Sequence, residues 1–356
     1  MTVQLHRSRR VGGALAALAL AAALIPSGTS VAQSVAPRVA PSRADIDSST
    51  LACGVNRLLV PSCGVSWGVY TKQRTAAEGW ATPFVQIERA IGRRFDLVKR
   101  YHDWSNSGGN GQFPDQYERQ LGATGQRTLY FAWTSNIWST GSFAHWRDIA
   151  NGEYDSSVIL PAAKRLKAWG KPVFIDFDHE MDGRTRTANG TPADYVAAYR
   201  HIQDVMANAG VTNVVWAWVP TGTMANVGRI KAMYPGDAYV DWVGYDPYNF
   251  FRCNGSPWED PYRSLAPFYG WLQDNGMADK PILLGEYGSV PDPDNVGRIK
   301  DWYGGVPAAL KRLPHIKAVI QWNSQTSTIC DFRVTGSPAA LSGFRSAANA
   351  PYVTGG

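Results

Sequence analysis

Long apolar runs are scarce in this 356-residue chain. The stretch from Val11 to Ile25 is about 15 residues, short of the roughly 20 needed to cross a bilayer. With Arg7, Arg9 and Arg10 before it and the small residues Ser30-Val31-Ala32 after it, it reads as a secretory signal peptide over 1–32. Export is therefore expected, with no membrane association once the signal is removed. Ser8-Arg9-Arg10 matches a twin-arginine signal only loosely, so both export routes stay open. An excess of one charge is lacking as well. The formal +6 falls to +3 when the three arginines leave with no acidic residue, which gives no electrostatic basis for nucleic-acid binding. Cysteine is sparse: four residues, none in a C-x-x-C pair and none with a histidine nearby in sequence, so a zinc site has no support. No loop has the EF-hand ligand pattern, and no cofactor or metal is expected. In an exported chain the four read as two disulfides, Cys53–Cys63 and Cys253–Cys330 by preference, with two other pairings open. A Gly-rich phosphate fingerprint is missing after the first strand-like run, which argues against a dinucleotide-binding open sheet.

Aromatic residues are plentiful. Fourteen tryptophans and sixteen tyrosines supply a large core, and their faces also suit sugar rings. Residues 33–50 are rich in Ser, Ala, Pro and Arg without apolar periodicity and read as an unstructured leader. The remainder, 51–356, has the length of one large barrel. Eight strand-like runs recur along it: 66–70, 97–101, 128–133, 173–177, 214–219, 242–245, 282–285 and 318–322. Several are near-continuously apolar, as parallel strands buried on both faces require. Helical segments are predicted between them. Residues 156–169 stop at Gly170, and a second helix has Thr191 as N-cap, Pro192 at N1 and Gly210 after its end. Later helices are expected at 265–272, 296–313 and 338–348. Strand and helix alternate about eight times, which predicts an α/β fold, a single-domain (β/α)8 TIM barrel.

Two glutamates stand at the ends of such runs. Glu180 closes Val173-Phe174-Ile175-Asp176-Phe177-Asp178-His179-Glu180, and Glu286 follows Ile282-Leu283-Leu284-Gly285. Retaining cleavage of a glycosidic bond needs one carboxyl to protonate the leaving oxygen and another, roughly 5 Å away, to attack the anomeric carbon. Residues far apart in sequence face each other if both strands end at one barrel rim. Alternation along the fourth run predicts Asp176, Asp178 and Glu180 on one side, where mutual repulsion and burial raise the proton affinity of at least one. Glu180 lies nearest the rim and is the candidate acid. Asp176 is expected to be structural, paired with a cation such as Arg100. Glu286 is the candidate nucleophile, with a phenol from Tyr245 or Tyr248 as its donor, and glycines on both sides of Glu286-Tyr287 are expected to admit a sugar.

His179-Glu180-Met181-Asp182-Gly183 and Gly285-Glu286-Tyr287-Gly288 resemble the acid/base and nucleophile motifs of glycoside hydrolase family 26, the β-mannanase-like retaining endo-glycanases with a (β/α)8 fold. The resemblance implies that Glu180 is the acid/base, Glu286 the nucleophile and His179 an orienting group. It also implies a sixth-strand tyrosine on the nucleophile, Trp322 as a sugar platform and His102 lining the cleft. Trp133 and Trp138 are further platform candidates. Many family mannanases carry Asn where Asp182 stands and an aromatic residue a few positions after the motif glycine, where this chain continues Arg184-Thr185-Arg186. The expected activity is a secreted, monomeric endo-β-glycanase acting on a polysaccharide. β-Mannan is the favoured substrate, and mixed-linkage glucan and xylan are the alternatives. A non-catalytic glycan-binding wall protein is the alternative from another class.

Overall fold

Eight parallel strands, each followed by a helix, close on themselves in the computed structural model, which describes residues 53–353 apart from 74, 76–77, 125–126 and 184–185. The expected signal peptide and leader lie outside the described residues. The strands are β1 (Ser66–Thr71), β2 (Leu97–His102), β3 (Thr128–Trp133), β4 (Val173–Phe177), β5 (Val214–Trp218), β6 (Trp242–Tyr245), β7 (Ile282–Ser289) and β8 (Ile316–Asn323). Each pairs in parallel with the next, and β8 pairs with β1, completing the barrel. The intervening helices are α1 (Thr82–Ile91), α2 (Gln116–Ala123), α3 (Leu160–Trp169), α4 (Pro192–Asn208), α5 (Val227–Ala232), α6 (Pro261–Leu272), α7 (Arg298–Arg312) and α8 (Pro338–Ala348).

The period-two alternation of the strands sorts their apolar residues into two cores. Leu97, Tyr130, Phe174, Val215, Trp242 and Leu283 point into the barrel. Their neighbours Val98, Phe131, Ile175, Trp216, Val243 and Leu284 point outward against the helices. Both predicted cystine pairs form, Cys53–Cys63 and Cys253–Cys330. The loop closed by the first packs Leu59 into the inner core, and the Trp242 indole donates to the Leu58 carbonyl at 2.7 Å. Helix boundaries follow their predicted signals. Thr191 and Asp194 form a reciprocal cap on α4, and Gly170 takes the left-handed conformation (φ 70°) that ends α3. Several spans differ from expectation, and α6 starts at Pro261, four residues before the expected 265. One π turn over Asp155–Ile159 precedes α3. And β7 runs through Glu286 to Ser289, because Gly288 and Ser289 gain a partner in the short strand Tyr248–Asn249.

Candidate active site

Glu286 is the fifth of the eight residues of β7, buried, with its carboxylate enclosed by donors. Lys99 on β2 reaches Oε1 at 3.1 Å and the Gly285 carbonyl at 3.1 Å. The Tyr101 phenol donates to the same oxygen, and Tyr248 donates to Oε2 at 2.6 Å. Burial alone would raise the proton affinity of Glu286, but Lys99 and the two phenols outweigh it and hold the carboxyl below its ordinary range. Burial and the Glu286 charge push both phenols well up, so they remain donors. Burial opposes the charge on Lys99, yet Glu286, Asp176 and Asp246 together keep it protonated. His179 Nε2 stands 3.6 Å from Oε1, beyond a good hydrogen bond. Burial, then Lys99, lower its pKa to about 3, so near neutrality it is an uncharged neighbour rather than an ion-pair partner.

Glu180 reaches the cleft by a different route from the one alternation predicts. β4 ends at Phe177, and Asp178 (φ 49°) and Glu180 (φ 56°) both adopt left-handed backbone, a conformation that costs about 1–3 kcal/mol per non-glycine residue. Two networks hold the turn. The Glu180 amide donates to the Val219 carbonyl at 2.7 Å. Asp178 turns away from Asp176 and accepts from Thr134 Oγ1 (2.9 Å), the Ser135 amide (2.8 Å) and Trp146 Nε1 (2.6 Å), with Arg186 at 3.1 Å. Asp182 accepts from the Thr221 amide at 2.8 Å and Asn226 Nδ2 at 2.9 Å, tying the turn to the loop after β5. Glu180 is half-buried. Burial first, then the charge of Glu286, raise its pKa to about 7.

Beneath this pair lies a second tier. Asp176, fully buried, accepts from the Tyr130 phenol, and burial raises its pKa to about 6 against the pull of Lys99. Asp246, at the mouth end of β6, has no partner for either carboxylate oxygen among the described residues, and burial followed by the Glu286 charge push it well up. Gly285 faces this tier: a side chain there would meet Asp246 Oδ1 and Val219 Cγ1 at 2.7 Å. The glycines around Glu286 therefore make room for protein atoms, since Gly288 faces Gln321 and Phe332.

Of the predicted site residues, Glu180, Glu286, His179, Tyr248 and Trp322 come together. Trp322 is half-buried, near-parallel to Tyr70 at 6.2 Å and edge-on to Tyr248 at 6.3 Å. Three others do not join them. His102 is fully buried on the helix side of β2, between Glu118 (2.8 Å) and the Asn110 carbonyl (3.0 Å). Trp133 is buried against Trp104, with ring centroids 4.2 Å apart. Tyr245 is buried with its phenol on the Leu265 carbonyl at 2.6 Å, which leaves Tyr248 as the donor to Glu286. Trp138 is 43% exposed on the loop after β3. The cation inside the barrel is Lys99, whereas Arg100 faces Glu118 at 3.4 Å and Trp80. The one-residue offset puts it on the other face of β2. Tyr70, Lys99 and Tyr101 were missed, although alternation counted from Leu97 places Lys99 and Tyr101 inward.

Comparison with known proteins adds to this geometry. The model of the family described as glycosyl hydrolase family 26 matches residues 68–306. Endoglucanase H of Acetivibrio thermocellus is 28% identical over 270 residues, which is 73% of this chain and 28% of that protein. A β-1,3-xylanase of a Vibrio species, TXYA, is 26% identical over 114 residues, 30% of this chain and 23% of that protein. The chain thus spans well under two thirds of either relative. In fold it is similar to a GH26 β-mannanase from Bacteroides ovatus (TM-score 0.60, 20% identity, 82% of this chain and 90% of that one). It is also similar to an endo-β-1,4-mannanase from Cellulomonas fimi (TM-score 0.57, 18% identity, 82% and 71%).

Proposed function

The chain belongs to glycosyl hydrolase family 26, and from that premise we propose that it cleaves a β-linked polysaccharide internally by double displacement, with Glu180 as acid/base and Glu286 as nucleophile. Glu180 protonates the glycosidic oxygen while Glu286 attacks C1 through an oxocarbenium-like transition state. Glu180 then takes a proton from the water that releases the sugar. One observation carries this reading: Lys99, Tyr101 and Tyr248 all donate to the Glu286 carboxylate, which holds it below its ordinary range, while burial and the Glu286 charge raise Glu180 to about 7. At neutral pH one is a ready anion and the other retains a proton to give, which is the division of labour the reaction needs. Tyr248 and Tyr101 orient the nucleophile, His179 stands beside it, and Trp322 supplies the apolar face for the sugar on the Glu286 side.

For the polymer, we place β-glucan ahead of β-mannan. The two curated relatives reported above are named as an endoglucanase and a β-1,3-xylanase, whereas the mannanases are similar at 16–20% identity, a likeness of fold. The missing aromatic residue after Gly183 removes one feature that would have favoured mannan over mixed-linkage glucan or xylan. Export of the mature enzyme, in line with the two disulfides, completes the proposal.

Reducing-sugar release from lichenan, mannan, xylan and curdlan tests the polymer. Lichenan is expected to be cleaved fastest, and mannan faster than lichenan would reverse the order. Glu180→Ala is expected to lose polymer hydrolysis but retain turnover of aryl glycosides with good leaving groups, and Glu286→Ala to lose both. Equal losses on the two substrate types would remove the assigned roles, and release from no polymer would favour a glycan-binding protein.

A further inference from the structure

When Glu286 bonds to C1 its negative charge disappears into an ester, and Lys99 loses its counter-ion. Lys99 is wholly buried, 3.1 Å from Glu286 Oε1, and a buried ammonium without a carboxylate is strongly disfavoured. The next carboxylate is in place. Lys99 Nζ lies 5.0 Å from the centroid of the Tyr130 ring, and the Tyr130 phenol donates to Asp176 Oδ2. Asp176 Oδ1 has no hydrogen-bond partner among the described residues, so one oxygen is uncommitted. Resting on the double-displacement reading above, we propose that Lys99 and Asp176 are positioning residues that act as a pair: Lys99 balances Glu286 while it is free, and Asp176 balances Lys99 while Glu286 is esterified.

The groups facing Glu286 fit this role. Tyr70 comes from β1, Lys99 and Tyr101 from β2, and Tyr130 from β3; His179, Glu180 and Asp176 come from β4 and its turn, and Asp246 and Tyr248 from the β6 end. Among these described groups Lys99 alone is cationic near neutrality. The Glu286 charge raises the proton affinity of Asp176, so esterification lowers it and favours the Asp176 anion at the moment it is needed. The bonds balance throughout. The Glu180 proton passes to the leaving oxygen as C1–O breaks and C1–Oε forms; water then gives oxygen to C1 and its proton to Glu180 as C1–Oε breaks.

The two members should fail in opposite ways. Without Asp176 the ester is the costly state, so its formation slows and its hydrolysis does not. With 2,4-dinitrophenyl β-cellobioside, or the β-mannobioside if mannan is the polymer cleaved, Asp176→Asn is expected to lower kcat/KM on the order of 10-fold. Its kcat should be retained or increased and the burst of dinitrophenolate reduced. Without Lys99 both Glu286 and Glu180 gain proton affinity. Lys99→Met should therefore move both limbs of the kcat/KM pH profile upward by about one unit, which general loosening of the site would not do. If Lys99→Met fails to fold, the double variant with Asp176→Asn removes one buried charge of each sign and should show an upward movement in the same direction but smaller, because the Asp176 anion it also removes had itself raised the proton affinity of Glu286. Equal falls in kcat and kcat/KM for Asp176→Asn, or unmoved limbs in a folded Lys99 variant, would overturn the pairing while leaving the hydrolase reading intact. A wild-type protein that cleaves neither glycosides nor polymers would overturn both.

Discussion

Glu180 carries a cost that can be measured apart from catalysis. Its pKa in the folded protein is raised to about 7, by burial and then by Glu286, against about 4.3 for an unfolded glutamate. The folded state therefore holds the proton more tightly. The stability this group contributes is fully present below the unfolded value and is lost as pH rises through about 7. A neutral isostere escapes that loss. Glu180→Gln is expected to melt a few degrees above the wild type at pH 8 and at the same temperature at pH 4, while losing activity on polymers. Equal melting temperatures at pH 8 would mean that the folded protein does not strain the Glu180 anion. Glu286 has the opposite character, since Lys99, Tyr101 and Tyr248 spend their hydrogen bonds on its charged form.

At the scale of elements, the turn after β4 is held from outside itself. Its two left-handed residues, Asp178 and Glu180, are fixed through the loops after β3 and β5. Asp178 is the centre of that arrangement, gathering Ser135, Thr134, Trp146 and Arg186 around one buried carboxylate. Removing it leaves buried donors and the Arg186 charge without their acceptor. Asp178→Ala is expected to lose roughly 3–5 kcal/mol of stability in urea unfolding and to lose turnover with it, because Glu180 is two residues along the same turn. An unchanged unfolding midpoint would show that the turn does not depend on this carboxylate.

Across the whole molecule, the Cys253–Cys330 bridge joins the loops that follow β6 and β8, 77 residues apart in sequence. Phe250 and Phe332, close to the two cysteines, form a three-ring cluster with Tyr248, their ring centroids 5.2 and 4.7 Å from it and 5.7 Å from each other. The bridge thus braces the aromatic cluster that sets the Tyr248 phenol on Glu286. Replacing both cysteines by serine is expected to cost roughly 4 kcal/mol from loop closure alone, read by urea unfolding. It should also lower kcat more than it alters KM, because the brace acts on the nucleophile's donor. A destabilised variant with unchanged kcat would confine the bridge to stability.

Most of the architecture was legible along the chain. Strand and helix alternate in local patterns of period two and 3.6, and Thr191, Pro192 and Gly170 mark boundaries through chemistry confined to one turn. Glu180 and Glu286 could be picked out because each closes an apolar run within a family-like motif. What the chain alone determined was the order of elements, the barrel they build and the two acidic residues placed at its mouth. Tertiary structure decided the rest. It chose Lys99 over Arg100 and Tyr248 over Tyr245, sent Asp178 outward and removed His102 and Trp133 from the cleft. The reason is geometric: a side chain's face reverses with each residue of a strand and escapes that rule at a left-handed turn. Which faces then meet depends on the closure of eight strands, a property that no single segment contains.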